Sequence, residues 1–207
     1  MESGLVHHGE IILEERAARS RNRRLRGKFP YGRRAVLSDG GRAGGRPRKE
    51  EFAPRAFSYR VERPNEDIHL LIGHSYDRPI ASRGAGTLDV MDADDALTFT
   101  AMIDEETQEI SWVQDFFRAF SAGLIGGISP GFRLPPPRAV AKAEEVTEED
   151  PSEGTALIRT IFAALLYELS LVTRPAYDET EVEAEERSAG GVILPTRHGL
   201  HHSSRWR

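Results

Sequence analysis

Cysteine is absent from this 207-residue chain, so the candidate nucleophiles are hydroxyls rather than thiolates, and a hydroxyl attacks a carbonyl only when an adjacent base removes its proton. Ser129 stands out among the serines because it lies in Gly126-Gly127-Ile128-Ser129-Pro130-Gly131-Phe132. Glycines on both sides allow a substrate backbone to come close. Taken alone, a serine among glycines is more often an ordinary helix-to-strand turn than a catalytic site. Of the seven histidines, His7, His8, His198, His201 and His202 lie near the ends, leaving His69 and His74. On one straight strand these two, five positions apart, point to opposite faces. Only His74 stands at the strand end, where a polar side chain enters a cleft, so it is the better base, with a hydrogen-bonded structural histidine as the alternative.

Apolar patterning supplies the elements that position these side chains. Residues 68–72 form a short apolar run that ends at Gly73 and His74, a buried strand delivering the histidine, and Pro79 then interrupts the pattern. Residues 87–90 and 96–103 are β-rich and joined by Asp92-Ala93-Asp94-Asp95, which predicts a hairpin. Ile110, Val113, Phe116, Phe117, Phe120 and Leu124 recur at three- and four-residue spacing, predicting one helix over 109–124. A strand over 128–134 carries Ser129 and stops at Pro135-Pro136-Pro137, and residues 155–166 and 169–173 add further apolar, β-rich segments. These strands are expected to close a small barrel or a curved sheet.

The chain is long enough for one domain with tails. Hydrophobic residues make up 39% and charged residues 29%, a globular balance, but the charges are segregated along the chain. Residues 16–49 are almost purely basic, with Asp39 the only acid, whereas residues 138–154 carry Glu144, Glu145, Glu148, Glu149, Asp150 and Glu153. The expected organisation is a basic N-terminal arm over 1–28, a domain over 29–182 with its core beginning near Phe29, and a mobile tail over 183–207. Residues 138–154 read as a flexible acidic loop within that domain. No apolar run approaches the roughly 18 residues of a membrane span, and no secretory leader is expected. The net charge of −5 argues against a dedicated nucleic-acid binder. His198-x-x-His201-His202 has metal-ligand spacing but no ordered second shell, so no physiological metal is expected there.

Four motifs in this order resemble the prohead (capsid maturation) serine proteases of tailed bacteriophages. They are Arg-Lys-Glu-x-Phe-x-x-x-Ala-Phe over 48–57, Gly73-His74 followed by Arg78-Pro79-Ile80-Ala81, Gly-Ile-Ser-x-Gly-Phe over 127–132, and Tyr-Glu-Leu-Ser-Leu-Val-Thr-x-Pro-Ala over 167–176. The similarity spans residues 29–182. It implies an α+β fold, a small β-barrel or strongly curved, mainly antiparallel sheet flanked by helices, like that of the distantly similar herpesvirus assembly proteases. It implies Ser129 as nucleophile, His74 as general base and Glu168 as the third member that orients His74. His69 is the alternative orienter, since the herpesvirus enzymes use a second histidine.

The resemblance implies no metal and no organic cofactor. The implied partners are a phage major capsid protein and its scaffold segment, with a homo-oligomer as an option, inside the immature prohead in the host bacterial cytoplasm. Self-cleavage is expected after Val182 or within 138–154. The competing class is a non-catalytic capsid assembly or scaffold module, and a third reading is a nucleic-acid binder using the basic arm, which would weaken steeply with salt. Pro130 has no N–H and so cannot donate to an oxyanion. The backbone N–H groups of Gly131 and Phe132 are the candidates instead.

Overall fold

The computed structural model describes residues 10–15, 22–41 and 44–173. In chain order the elements are β1 (Glu10–Glu15), β2 (Arg23–Pro30), β3 (Ala35–Ser38), β4 (Arg48–Phe52), α1 (Ser58–Val61), β5 (His69–Ile72), β6 (Ser75–Ser82), β7 (Leu88–Asp92) and β8 (Ala96–Ile103). They continue with α2 (Glu105–Glu109), α3 (Ser111–Ser121), β9 (Gly127–Arg133), β10 (Glu144–Glu148), β11 (Leu157–Ile161) and β12 (Leu165–Val172).

The strands form three four-stranded sheets, ordered β1-β2-β8-β7, β10-β11-β4-β3 and β6-β5-β12-β9. The fold is therefore mostly β with few helices, and of the two forms expected, a small barrel or a strongly curved sheet, no closed barrel is formed among the described residues. Pairing is mainly antiparallel, but β11 runs parallel to β4 and β12 parallel to β5. Among the described residues no helix is long and apolar enough to cross a membrane.

Aromatic rings lock the sheets together. Phe29 of β2 packs edge-on against Phe52 of β4 at 5.6 Å, and Phe52 packs edge-on against Phe132 of β9 at 5.1 Å. One contact chain thus joins all three sheets, and each such pair adds about 1 kcal/mol beyond area burial. Helix α3 contributes Val113, Phe116, Phe117 and Phe120 to the same core. Val113, Phe116, Phe117 and Phe120 of the stripe read from the sequence hold, but the helix is shorter than 109–124. Asp104 caps α2 by accepting the Thr107 N–H at 2.7 Å, and Ile110 is extended (φ −65°, ψ 129°), which separates α2 from α3. Leu124 lies beyond the helix and is exposed.

Two segments thought to lie outside the core are built into sheets. Residues 10–15 and 23–28 of the supposed basic arm form β1 and most of β2, with Ile11 and Leu25 fully buried, so the core begins before Phe29. The acidic stretch contains β10, paired with β11 from Glu144↔Ile161 to Glu148↔Leu157. Opposite charges far apart in sequence meet there: Arg46 with Glu148 at 2.8 Å, Arg159 with Glu144 at 2.5 Å, Arg34 with Glu153 at 2.9 Å, and Lys49 with Glu149. Pro79 does not end the structure after His74 but sits inside β6, an edge strand whose register against β5 is irregular at that point. An edge position tolerates the missing N–H. The tail over 183–207, with its histidine cluster, lies outside the described residues.

Candidate active site

The third sheet brings the sequence candidates together. Ile72 of β5 pairs with Ser75 of β6, so Gly73 and His74 are the two residues of a tight hairpin turn. Both have φ of +60°, the signature of a type I′ turn, whose twist suits the flanking strands. Glycine takes this conformation freely, whereas histidine does so at a cost of about 1–2 kcal/mol. The turn is docked onto β12: the Gly73 N–H donates to the Leu171 carbonyl at 3.0 Å and the His74 N–H donates to Ser170 Oγ at 2.9 Å. His74 is thus held by a hairpin rather than presented from the end of a straight strand.

Glu168 and Ser170 are two apart on β12 and share a face. Glu168 Oε1 lies 2.7 Å from His74 Nδ1, and Oε2 accepts from the Ser170 hydroxyl at 2.7 Å. The Glu168 side chain is only 5% exposed while that of His74 is 40% exposed. A carboxylate this buried is tolerable only with its oxygens satisfied, and here each oxygen has a partner. The hydrogen bond to Glu168 raises the His74 pKa above its ordinary value, with burial acting in the opposite direction. With Nδ1 directed at Glu168, Nε2 is the nitrogen left to act as a base.

Strand β9 lies antiparallel to β12, with Ser129 opposite Ser170 and Gly131 opposite Glu168. Directly opposed residues share a face, so Ser129 stands on the same side as the carboxylate, while Ile128 and Phe132 point the other way into the core. A register shift between Leu166 and Glu168 makes Tyr167 the extra residue of a bulge beside the carboxylate. Such bulges re-aim neighbouring side chains.

Gly131 also makes room beside the site. A Cβ at this position would collide with Oε1 and the carboxyl carbon of Glu168, so glycine makes room for the carboxylate. Along this ladder Pro130 pairs with Leu169 and Gly131 with Glu168.

His69 does not meet His74 Nδ1, where Glu168 stands. Its own Nδ1 lies 3.6 Å from Asp67 Oδ2, and its ring packs edge-on to Tyr76 at 5.7 Å. Ser170 was missed by sequence reasoning. The available signal was polar Glu168 and Ser170 at i and i+2 in the otherwise apolar run Leu165–Val172, which places both on one face.

Searches of curated proteins and of solved structures gave no significant match. A family model described as caudovirus prohead serine protease matches residues 42–192, well over half of the chain. The matched stretch includes the turn bearing His74, the strand bearing Ser129 and the strand bearing Glu168 and Ser170, so the candidate site falls within one family pattern. The chain belongs to the caudovirus prohead serine protease family.

Proposed function

We propose that the chain is a serine endopeptidase of acyl-enzyme mechanism, with Ser129 as nucleophile, His74 as general base and Glu168 as the residue that orients His74. As Ser129 Oγ attacks a peptide carbonyl, His74 Nε2 takes its proton, and Glu168 holds the required tautomer and offsets the imidazolium charge. The same imidazole then gives the proton to the departing amine, and later activates the water that hydrolyses the acyl-enzyme. The observation that carries this reading is the 2.7 Å contact between His74 Nδ1 and the buried Glu168 on the face that also bears Ser129.

Family membership supports the substrates: N-terminal scaffold segments of the capsid protein, cut inside the immature shell in the host cell. It also supports self-processing. Of the two segments expected to be cut, residues 144–148 are the poorer choice because they are paired as β10, and a protease site takes an extended, unpaired peptide. The self-processing site is therefore assigned to the segment after Val182, which is charged and poor in core-forming residues.

A fluorophosphonate probe followed by peptide mapping tests the nucleophile. Labelling of Ser129 in the wild type, lost in His74→Ala, is the expected result. A folded wild-type protein that cleaves peptides yet is labelled at another residue would contradict it.

A further inference from the structure

We propose that Ser170 is a positioning residue of the active site, its buried hydroxyl fixing both the Glu168 carboxylate and the turn that carries His74. The proposal rests on the reading of His74 and Glu168 as base and orienter.

A serine hydroxyl has one proton to donate and two lone pairs. The Ser170 proton goes to Glu168 Oε2 at 2.7 Å, and one lone pair accepts the His74 N–H at 2.9 Å. The hydroxyl therefore touches both members of the pair, one through its carboxylate and the other through its backbone. It contributes no atom to the 2.7 Å Nδ1–Oε1 contact itself.

The backbone contact matters because His74 is a non-glycine residue with φ of +60°, a conformation that persists only where its surroundings hold it. The bond from its N–H to Ser170 docks the backbone of the turn on β12 together with that from the Gly73 N–H to the Leu171 carbonyl. The carboxylate contact matters because Glu168 can rotate about its terminal torsion, and a donor on Oε2 leaves Oε1 aimed at the imidazole. Ser170 itself is fully buried. Its proton is directed at a carboxylate oxygen rather than at an imidazole nitrogen, which suits a positioning group and not a nucleophile.

Removing the hydroxyl would leave the His74 N–H and a buried carboxylate oxygen without these partners, and the carboxylate is expected to turn toward another donor. Tyr76, Arg60, Arg133 and Tyr167 supply the nearby charged and titratable groups: Tyr76 feels Glu168, both arginines and Tyr167. Rotation of the carboxylate about its terminal torsion moves Oε1 off His74 Nδ1. Misplacement by about 1 Å is enough to cost up to about 100-fold in rate.

The test uses the full-length chain as Ser170→Ala, Ser170→Cys and Ser170→Thr, with Ser129→Ala as control. Peptide kcat and KM are measured against pH, the His74 imidazole is titrated by NMR, and thermal stability is recorded. In Ser170→Ala, kcat is expected to fall about 10- to 100-fold with KM within about twofold, and the His74 midpoint to fall toward that of an ordinary histidine. Ser170→Cys, which keeps the shape with a weak donor, is expected to follow Ser170→Ala and provides the measurement where alanine does not fold. Ser170→Thr, retaining the hydroxyl, is expected to restore most of the rate and the midpoint. Wild-type kcat and an unchanged or raised His74 midpoint in the folded alanine or cysteine variant would overturn the proposal, even with a lowered melting temperature. If Ser129→Ala retained cleavage, the catalytic reading would fail, while the His74 titration would still decide whether Ser170 holds the pair.

Discussion

Glu168 and His74 are 94 residues apart in the chain, yet Oε1 of one lies 2.7 Å from Nδ1 of the other, the carboxylate buried and the imidazole partly open to solvent. Parallel pairing of β12 with β5 brings them together, because it sets Glu168 beside His69 and carries Leu171 to the foot of the turn that holds His74. Glu168→Gln is expected to keep the fold but lower kcat by about 10³- to 10⁴-fold, since an amide supports the wrong imidazole tautomer and offers no charge to the imidazolium. His69→Ala is expected to stay near the wild-type rate. The opposite pattern, a large loss at His69 and little at Glu168, would transfer the orienting role.

The pH dependence has a definite sign. The hydrogen bond to Glu168 raises the His74 pKa, and a general base works only when neutral, so kcat/KM is expected to fall as pH drops through a value above about 6.5. In Glu168→Gln the inflection should move to lower pH. For stability, a raised folded-state pKa gives a contribution fully present below about pH 6.5 and lost as pH rises through the raised value. A pH–rate profile of both proteins, with urea unfolding at matched pH, checks the two signs together.

Gly131→Ala is a test of the space beside the carboxylate. The added methyl meets Oε1 and the carboxyl carbon of Glu168, so either the carboxylate or β9 must shift, at a cost of about 1–3 kcal/mol. Activity is expected to fall by at least about 100-fold through displacement of the orienting group. Wild-type kcat in a folded Gly131→Ala protein would show that the carboxylate position is not critical.

Strand β10 is held by charge as well as by its ladder. Arg46 and Lys49 hold the Glu148 and Glu149 carboxyls below the usual range. Depressed folded-state values contribute stability above the unfolded carboxyl pKa of about 4.3, and that contribution is lost as pH falls through the depressed values. The protection of β10 amides from hydrogen exchange, corrected for the intrinsic pH dependence of the rate, is expected to fall on acidification before that of β12. Arg159→Ala, which removes the guanidinium 2.8 Å from fully buried Glu50, is expected to destabilise the protein by about 3 kcal/mol in urea titration.

These charge contacts also explain which parts of the fold were legible in the sequence. The β7–β8 hairpin was readable because its Asp-rich turn separates two β-rich runs, and α3 because its aromatic stripe recurs at helical spacing. Strand β10 was not, since all five of its residues are exposed. It shows no alternation, and its ion-pair partners come from other segments, Arg159 for Glu144 and Arg46, 102 positions away, for Glu148. The arm holding β1 and β2 was misread for a related reason: its arginines mask a strand whose buried alternate positions are Leu25, Gly27 and Phe29. At the site, residue types pointed to His74 and Ser129, and the family pattern to Glu168. The contacts of Ser170 became visible only with the docking of the His74 turn on β12, and the space-making role of Gly131 only with the register of β12 against β9.

The most direct test of the account is co-expression of the chain with its neighbouring capsid protein, followed by intact mass analysis of both during assembly. With wild type, the capsid protein is expected to lose an N-terminal segment and the protease to yield a species shortened after Val182. Ser129→Ala and His74→Ala should abolish both changes, each lowering cleavage by about 10⁶-fold, with the double variant scarcely worse than either alone. Capsid processing that continued unchanged with the folded Ser129→Ala protein would contradict the assignment of Ser129 as nucleophile.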